Sequence, residues 1–107
     1  MSESKYGLQA YQLKIILEYL AKHKEIEEAV LFGSRAIGTY KKTSDIDIAL
    51  KGKQITPFIA AELKSELEDD TVIPYFFDCV PYPQLTHEHF IRHIDEHGIT
   101  IYKRNNI

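Results

Sequence analysis

The sequence predicts an α/β (α+β) domain, a small mixed β-sheet of about four strands with helices packed on it. Three observations predict it. Short apolar runs such as "AVLF", "SDIDIAL" and "ITIY" have the length of strands and end at glycine or polar residues. Longer stretches repeat their apolar residues at three- and four-residue spacing, as helices do. The two kinds interleave as helix, strand, strand, helix, strand, helix, strand, the pattern of helices layered on a sheet.

The elements follow in order. Residues 8–24 read as an amphipathic helix, with Leu8, Tyr11, Ile15, Ile16, Tyr19 and Leu20 on the apolar side and Lys14, Glu18 and Lys22 elsewhere. "AVLF" (29–32) reads as a buried strand ending at Gly33. Residues 34–44 are polar, punctuated by Gly38. "SDIDIAL" (44–50) alternates with period two, so Asp45 and Asp47 share one face and Ile46, Ile48 and Leu50 the other. After the loop "KGKQ", Thr56 and Pro57 read as the cap and first position of a helix to about Glu68, burying Phe58, Ile59, Leu63 and Leu67. "VIPYFFDCV" (72–80) reads as a third strand, with Pro74 at its start or on an edge because proline cannot donate to a ladder. Thr86 is the expected cap of the last helix, with Leu85 and Phe90 as a hydrophobic staple, and Gly98 closes it. "ITIY" (99–102) is the last strand and "KRNNI" a frayed tail.

The 107 residues are expected to form a single domain, 1–107, with one modest core. Hydrophobic residues make up 44% and charged residues 27%, ordinary values for a globular protein. A net charge of −3 argues against broad binding of a nucleic-acid backbone, so no nucleic-acid partner is expected. The single cysteine, Cys79, excludes an internal disulfide and points to a reduced, cytoplasmic setting. The N-terminal "MSESKYGLQAYQ" lacks the basic start and apolar run of a signal peptide. No apolar run approaches the ~20 residues needed to cross a bilayer, so no membrane association is expected.

The chemistry concentrates in "LFGSRAIGTYKKTSDIDIAL" (31–50). Two carboxylates at i and i+2 on a strand project the same way, a few ångströms apart. Unpaired they repel, and one is pushed toward protonation. A divalent cation resolves the conflict, and oxygen-only ligands suit Mg²⁺. Gly33 lets a phosphate or another backbone approach, and a short helical turn over 34–38 would aim N–H groups and the Ser34 hydroxyl at an anion. Arg35 is the nearest cation for phosphate charge, whereas Lys41 and Lys42 read as solvated loop charges. Ten residues separate Ser34 from Asp45, enough to leave one strand and return on its neighbour. Asp78 lies in the apolar "YFFDCV", where burying a lone carboxylate is expensive without metal ligation or proton abstraction to require it. Together these groups make a phosphoryl- or nucleotidyl-transfer site.

"GSRAIGTYKKTSDIDIAL", with Gly-Ser, a ten-residue spacer and Asp-x-Asp, resembles the signature of the DNA polymerase β-like nucleotidyltransferases. The short chain is most similar to the minimal nucleotidyltransferases, the MntA-like antitoxins encoded beside HEPN-domain toxins. "IPYFFDCV" is similar to the family's third-carboxylate strand. The resemblance implies Gly33, Ser34 and Arg35 at the nucleotide, Asp45 and Asp47 on Mg²⁺, and Asp78 as third metal ligand or base. It implies ATP as substrate and transfer of AMP to a hydroxyl, a tyrosine of the partner toxin in the antitoxin branch. The competing reading is a non-catalytic antitoxin that neutralises its partner by occlusion. Ile37 stands where many members carry a second basic residue, and Pro81 where many carry another acid. Only 27 residues follow Val80, too few for a second core, so the acceptor site is expected to be open or shared with another chain.

Four histidines cluster late in the chain. His89, His93 and His97 recur at four-residue spacing, with His87 close by. Without an "HExxH" they read as an exposed or partner-facing helix rather than a zinc site. This helix and the first helix offer surfaces for homo- or hetero-oligomers.

Overall fold

Strand β1 (Glu28–Phe32) is buried from Ala29 to Phe32, which requires a covering layer on both sides of the sheet. The computed structural model describes residues 5–104. Within them the elements run α1 (Ala10–Lys22), β1, α2 (Ser34–Ile37), β2 (Ile46–Lys51), α3 (Pro57–Asp69), β3 (Phe77–Pro81), a 3-10 turn (Tyr82–Gln84), α4 (Glu88–His97) and β4 (Ile99–Lys103). The sheet order is β3-β2-β1-β4. β1 pairs antiparallel with β2 and β4, and β2 pairs parallel with β3. A parallel step needs a crossover, and α3 supplies it.

The alternation of side chains assigns the layers. Ala29, Leu31, Ile46, Ile48 and Leu50 share a core with Ile16 and Leu20 of α1 and Leu63 and Leu67 of α3. Val30, Phe32 and Ala49 point the opposite way and pack against Ile94 and Phe90 of α4. Two helices therefore cover one face, and α4, with Tyr82 and Leu85 before it, covers part of the other. At the N-terminal end of β2, the α4 face is left to acidic residues.

Local expectations hold where backbone chemistry dictates them. The Thr56 hydroxyl accepts from Ile59 N–H at 3.2 Å, with Pro57 as the first helical residue. Gly98 follows the last helical residue, and its N–H donates to the Ile94 carbonyl. Other details differ. Helix α1 starts at Ala10 rather than residue 8, because the Gln12 side chain closes on the Gln9 N–H at 2.9 Å. That capping contact buries Gln12 and leaves Tyr11 in solvent. Phe58 is 71% exposed instead of buried, since it sits about 200° around the helix from Ala60, which joins Leu63 and Leu67 in the core. The third strand begins at Phe77, not 72. Residues 72–76 form a loop through Pro74, from which Ile73 plugs the core.

The last helix is capped by His87 rather than Thr86, the His87 Nδ1 accepting from Phe90 N–H at 3.3 Å. Leu85 and Phe90 still pack against one core. Nor is Arg104 frayed. Its guanidinium donates to the carbonyls of Ile26, Ala21 and His23, tying the end of β4 to the carbonyl end of α1. The rest of the expected tail, 105–107, lies outside the described residues. Among the described residues, no helix is long and apolar enough to cross a membrane.

Candidate active site

The chain leaves β1 at Gly33 and returns antiparallel on β2, so Phe32 and Asp47 are register partners. The parallel β2–β3 ladder then sets Asp47 opposite Asp78. Phe32, Asp47 and Asp78 thus form one row across three strands. Asp45 lies just before β2, which begins at Ile46 rather than at residue 44 as expected, so it shares no strand face with Asp47 and reaches it only through its charge. Asp47 is half-buried, while Asp45 and Asp78 are exposed. The expected burial of Asp78 among aromatics is corrected here: Phe77 faces the core, and Asp78, next along the strand, faces solvent.

The electrostatics register the convergence. The Asp47 carboxyl is pushed up to about 6, first by burial, then by the charges of Asp78 and Asp45, with Arg35 opposing. Three carboxylates thus share one field, and the middle one is poorly solvated. The Cys79 thiol is pushed up to about 12 by burial and the neighbouring Asp78 charge, which makes it an unreactive packing group.

Gly33 adopts φ 76° and ψ −158°, a conformation open essentially to glycine alone. A Cβ at this position would overlap the Asp47 carboxylate. Glycine is therefore required twice, by the backbone and by the acid beside it. Ser34 follows as the first residue of α2, a single turn whose opening N–H groups have no acceptor within the helix. On its other side, the Gly33 N–H donates to Nε2 of His93 at 3.3 Å.

Arg35 is placed differently from a phosphate-binding cation. It is 2% exposed, stacked on Tyr75 and near Tyr40. Nε and Nη2 donate to the Ser44 carbonyl at 3.1 and 2.7 Å, and Nη1 donates to the carbonyls of Tyr6 and Gly7. A buried guanidinium satisfied by carbonyls is a bracket for backbone. It clamps the residue before Asp45 and reaches Asp47 through its field. Lys41 and Lys42 are exposed.

Sequence reasoning missed two residues that shape this site. The reading of the histidine helix as exposed or partner-facing overlooks His93, which joins Phe90 and Ile94 in the inward stripe of α4, a three- and four-residue spacing legible in the sequence. Glu68, at the end of α3, accepts the Phe77 N–H at 2.7 Å and so anchors the strand carrying Asp78.

The donor set fits a hard divalent cation. It is all carboxylate, and Asp47 is held under repulsion that a cation would relieve. Among the described residues, no three His, Cys, Asp or Glu side chains form a ready-made metal site.

A half-buried aspartate with two other carboxylates in its field thus lies beside a Gly-Ser turn on the four-stranded sheet. The chain belongs to the nucleotidyltransferase family described as "Polymerase beta, Nucleotidyltransferase", whose model matches residues 14–107. Its fold is similar to that of a toxin–antitoxin crystal structure with AMP-PNP (TM-score 0.73, 21% identity, 87% of this chain and 74% of that one). It is also similar to the toxin–antitoxin MntA–HepT (TM-score 0.68, 18% identity, 90% and 74% covered). A third likeness is to a nucleotidyltransferase described as putative from Sulfolobus solfataricus (TM-score 0.51, 22% identity, 97% and 93% covered). Among curated protein sequences, none matches significantly.

Proposed function

We propose that the protein is the antitoxin of a toxin–antitoxin pair and transfers AMP from ATP to a tyrosine hydroxyl of a HEPN-type partner. The observation that carries this reading is the pairing of Asp47 with Asp78 across two strands, with Gly33 packed against Asp47. The fold-level likeness to toxin–antitoxin structures, one of them with AMP-PNP, supports the choice of partner and nucleotide.

Asp45 and Asp47 would hold Mg²⁺, and Asp78 would serve as a further ligand only on rearrangement, or otherwise as the base. The ion would supply charge neutralisation at the phosphates. The Gly33-Ser34 turn receives the triphosphate through its N–H groups and the Ser34 hydroxyl. The acceptor oxygen attacks the α-phosphorus, forming a new O–P bond. The bond from that phosphorus to the bridging oxygen breaks, and pyrophosphate leaves with the electron pair. As base, Asp78 would take the hydroxyl proton, a role its exposed position on an edge strand leaves open to an incoming chain. Alignment and preorganised charge carry most of the acceleration.

The test incubates the protein with α-labelled ATP, Mg²⁺ and the product of the adjacent gene. Label on a partner tyrosine, lost in Asp45→Asn and Asp47→Asn, is expected. No label on the partner, with Asp45→Asn and wild type indistinguishable, overturns the proposal. Growth rescue by an Asp45→Asn/Asp47→Asn double variant, equal to wild type, selects neutralisation by occlusion instead.

A further inference from the structure

The histidine on α4 nearest the sheet does something the other three do not. Helix α4 is fixed to the sheet at two points on either side of it. Phe90 meets Phe32 edge-on, with ring centroids 5.4 Å apart. Ile94 is buried against the second core, and at Gly98 a Cβ would overlap both the Ile94 carbonyl and the Val30 side chain. His93 lies between these anchors, half-buried and edge-on to Phe32 at 6.3 Å. Its Nε2 accepts the Gly33 N–H at 3.3 Å. His87 caps the helix, and His89 and His97 are exposed.

Gly33 is the residue where β1 ends and the phosphate-binding turn begins. Its φ of 76° and ψ of −158° lie outside the wells that hold ordinary residues in place. A glycine in such a conformation needs outside contacts to define its peptide planes. Asp47 bounds it on one side, and His93 supplies the acceptor for its N–H. The direction of that N–H is coupled through one peptide to Ser34 and the amides that follow.

We propose that His93 is a positioning residue for the nucleotide site: its Nε2 lone pair holds the Gly33 peptide and so fixes the Gly33-Ser34 turn against Asp47. This rests on the nucleotidyl-transfer reading for the identity of the ligand, and on the Gly33 contact alone for the positioning. Because Nε2 accepts, the ring proton sits on Nδ1. A side chain of similar reach with an acceptor at its tip, glutamine, should serve; leucine should not.

The experiment compares wild type, His93→Leu, His93→Gln and the exposed-site control His89→Leu. Two readouts are used: binding of a non-hydrolysable ATP analogue with Mg²⁺ by calorimetry, and amide hydrogen exchange at Gly33 and Ser34 by NMR. His93→Leu is expected to weaken analogue binding about tenfold and to speed Gly33 exchange by a similar factor, the loss of one hydrogen bond. His93→Gln should restore both, and His89→Leu should change neither. A His93→Leu variant with wild-type affinity and wild-type Gly33 exchange overturns the proposal, as does failure of His93→Gln to restore either. If wild type itself binds no analogue, the nucleotidyl-transfer reading falls, and the exchange data still decide whether His93 holds the turn.

Discussion

Replacing Gly33 with alanine tests the geometry of the site with a single methyl group. The cost has two parts. The backbone part is that of forcing a non-glycine residue into φ 76°, ψ −158°, roughly 1–3 kcal/mol. The second part arises because the added Cβ meets the Oδ2, Cγ and Cβ of Asp47, so the carboxylate must turn out of the row it shares with Asp78. Together they should destabilise the protein by about 3–4 kcal/mol. For a domain of this size that lowers Tm by on the order of 15 °C. Gly38 provides the control. It is left-handed too, at φ 88° and ψ 10°, but nothing lies within 4 Å of its Cβ position. Gly38→Ala should therefore cost only about 1–2 kcal/mol. Denaturant melts of both variants, and of Gly33→Ala with and without Asp47→Ala, close the cycle. The overlap disappears in the double variant, so the two substitutions should be non-additive by about 1–2 kcal/mol. Equal costs at Gly33 and Gly38, with additivity within about 0.5 kcal/mol, would refute the claim that Gly33 is reserved for the acid.

Three further outcomes follow from the same site. In Asp47 the folded carboxyl titrates near 6 against an ordinary 3.8, so the folded state holds more protons between these values and stability falls as pH rises through that window. Partial exposure reduces the effect, and in cation-free buffer at pH 8 Asp47→Asn should be more stable than wild type by about 1 kcal/mol while losing transfer activity. Equal stability of the two proteins at pH 8 counts against stored repulsion, and wild-type affinity for Mg²⁺ with analogue should rise as pH passes 6. For Arg35, substitution by leucine orphans the carbonyls of Tyr6, Gly7 and Ser44 and should cost roughly 3 kcal/mol or more. An Arg35→Leu protein that melts like wild type but binds nucleotide weakly would return Arg35 to the phosphates.

Much of the fold could be read before any coordinates. Thr56-Pro57 and Gly98 mark helix ends because capping is a local matter of donors, acceptors and φ. The alternation in "SDIDIAL" assigns Ile46, Ile48 and Leu50 to one core and turns Asp47 away from it, since a strand has no other way to place them. Where the reading failed, the deciding contact came from elsewhere in the chain. Phe58 looks as apolar as Leu63, but the direction in which α3 meets the sheet leaves it in water. Thr86 is a good cap by composition, and His87 holds that position because α4 starts one residue later.

The candidate site divides the same way. The local pattern by itself offered the Gly-Ser turn and the three aspartates as candidates, because each depends on spacing along one segment, but it ran the strand from residue 44, whereas β2 begins at Ile46 and leaves Asp45 in the loop before it. Only tertiary structure decided that Asp47 and Asp78 are register partners, that Arg35 braces Ser44, and that His93 reaches the Gly33 amide 60 residues away. Spacing constrains neighbours in the chain, whereas strand pairing and helix docking select which distant groups meet. That choice depends on the burial of the whole core.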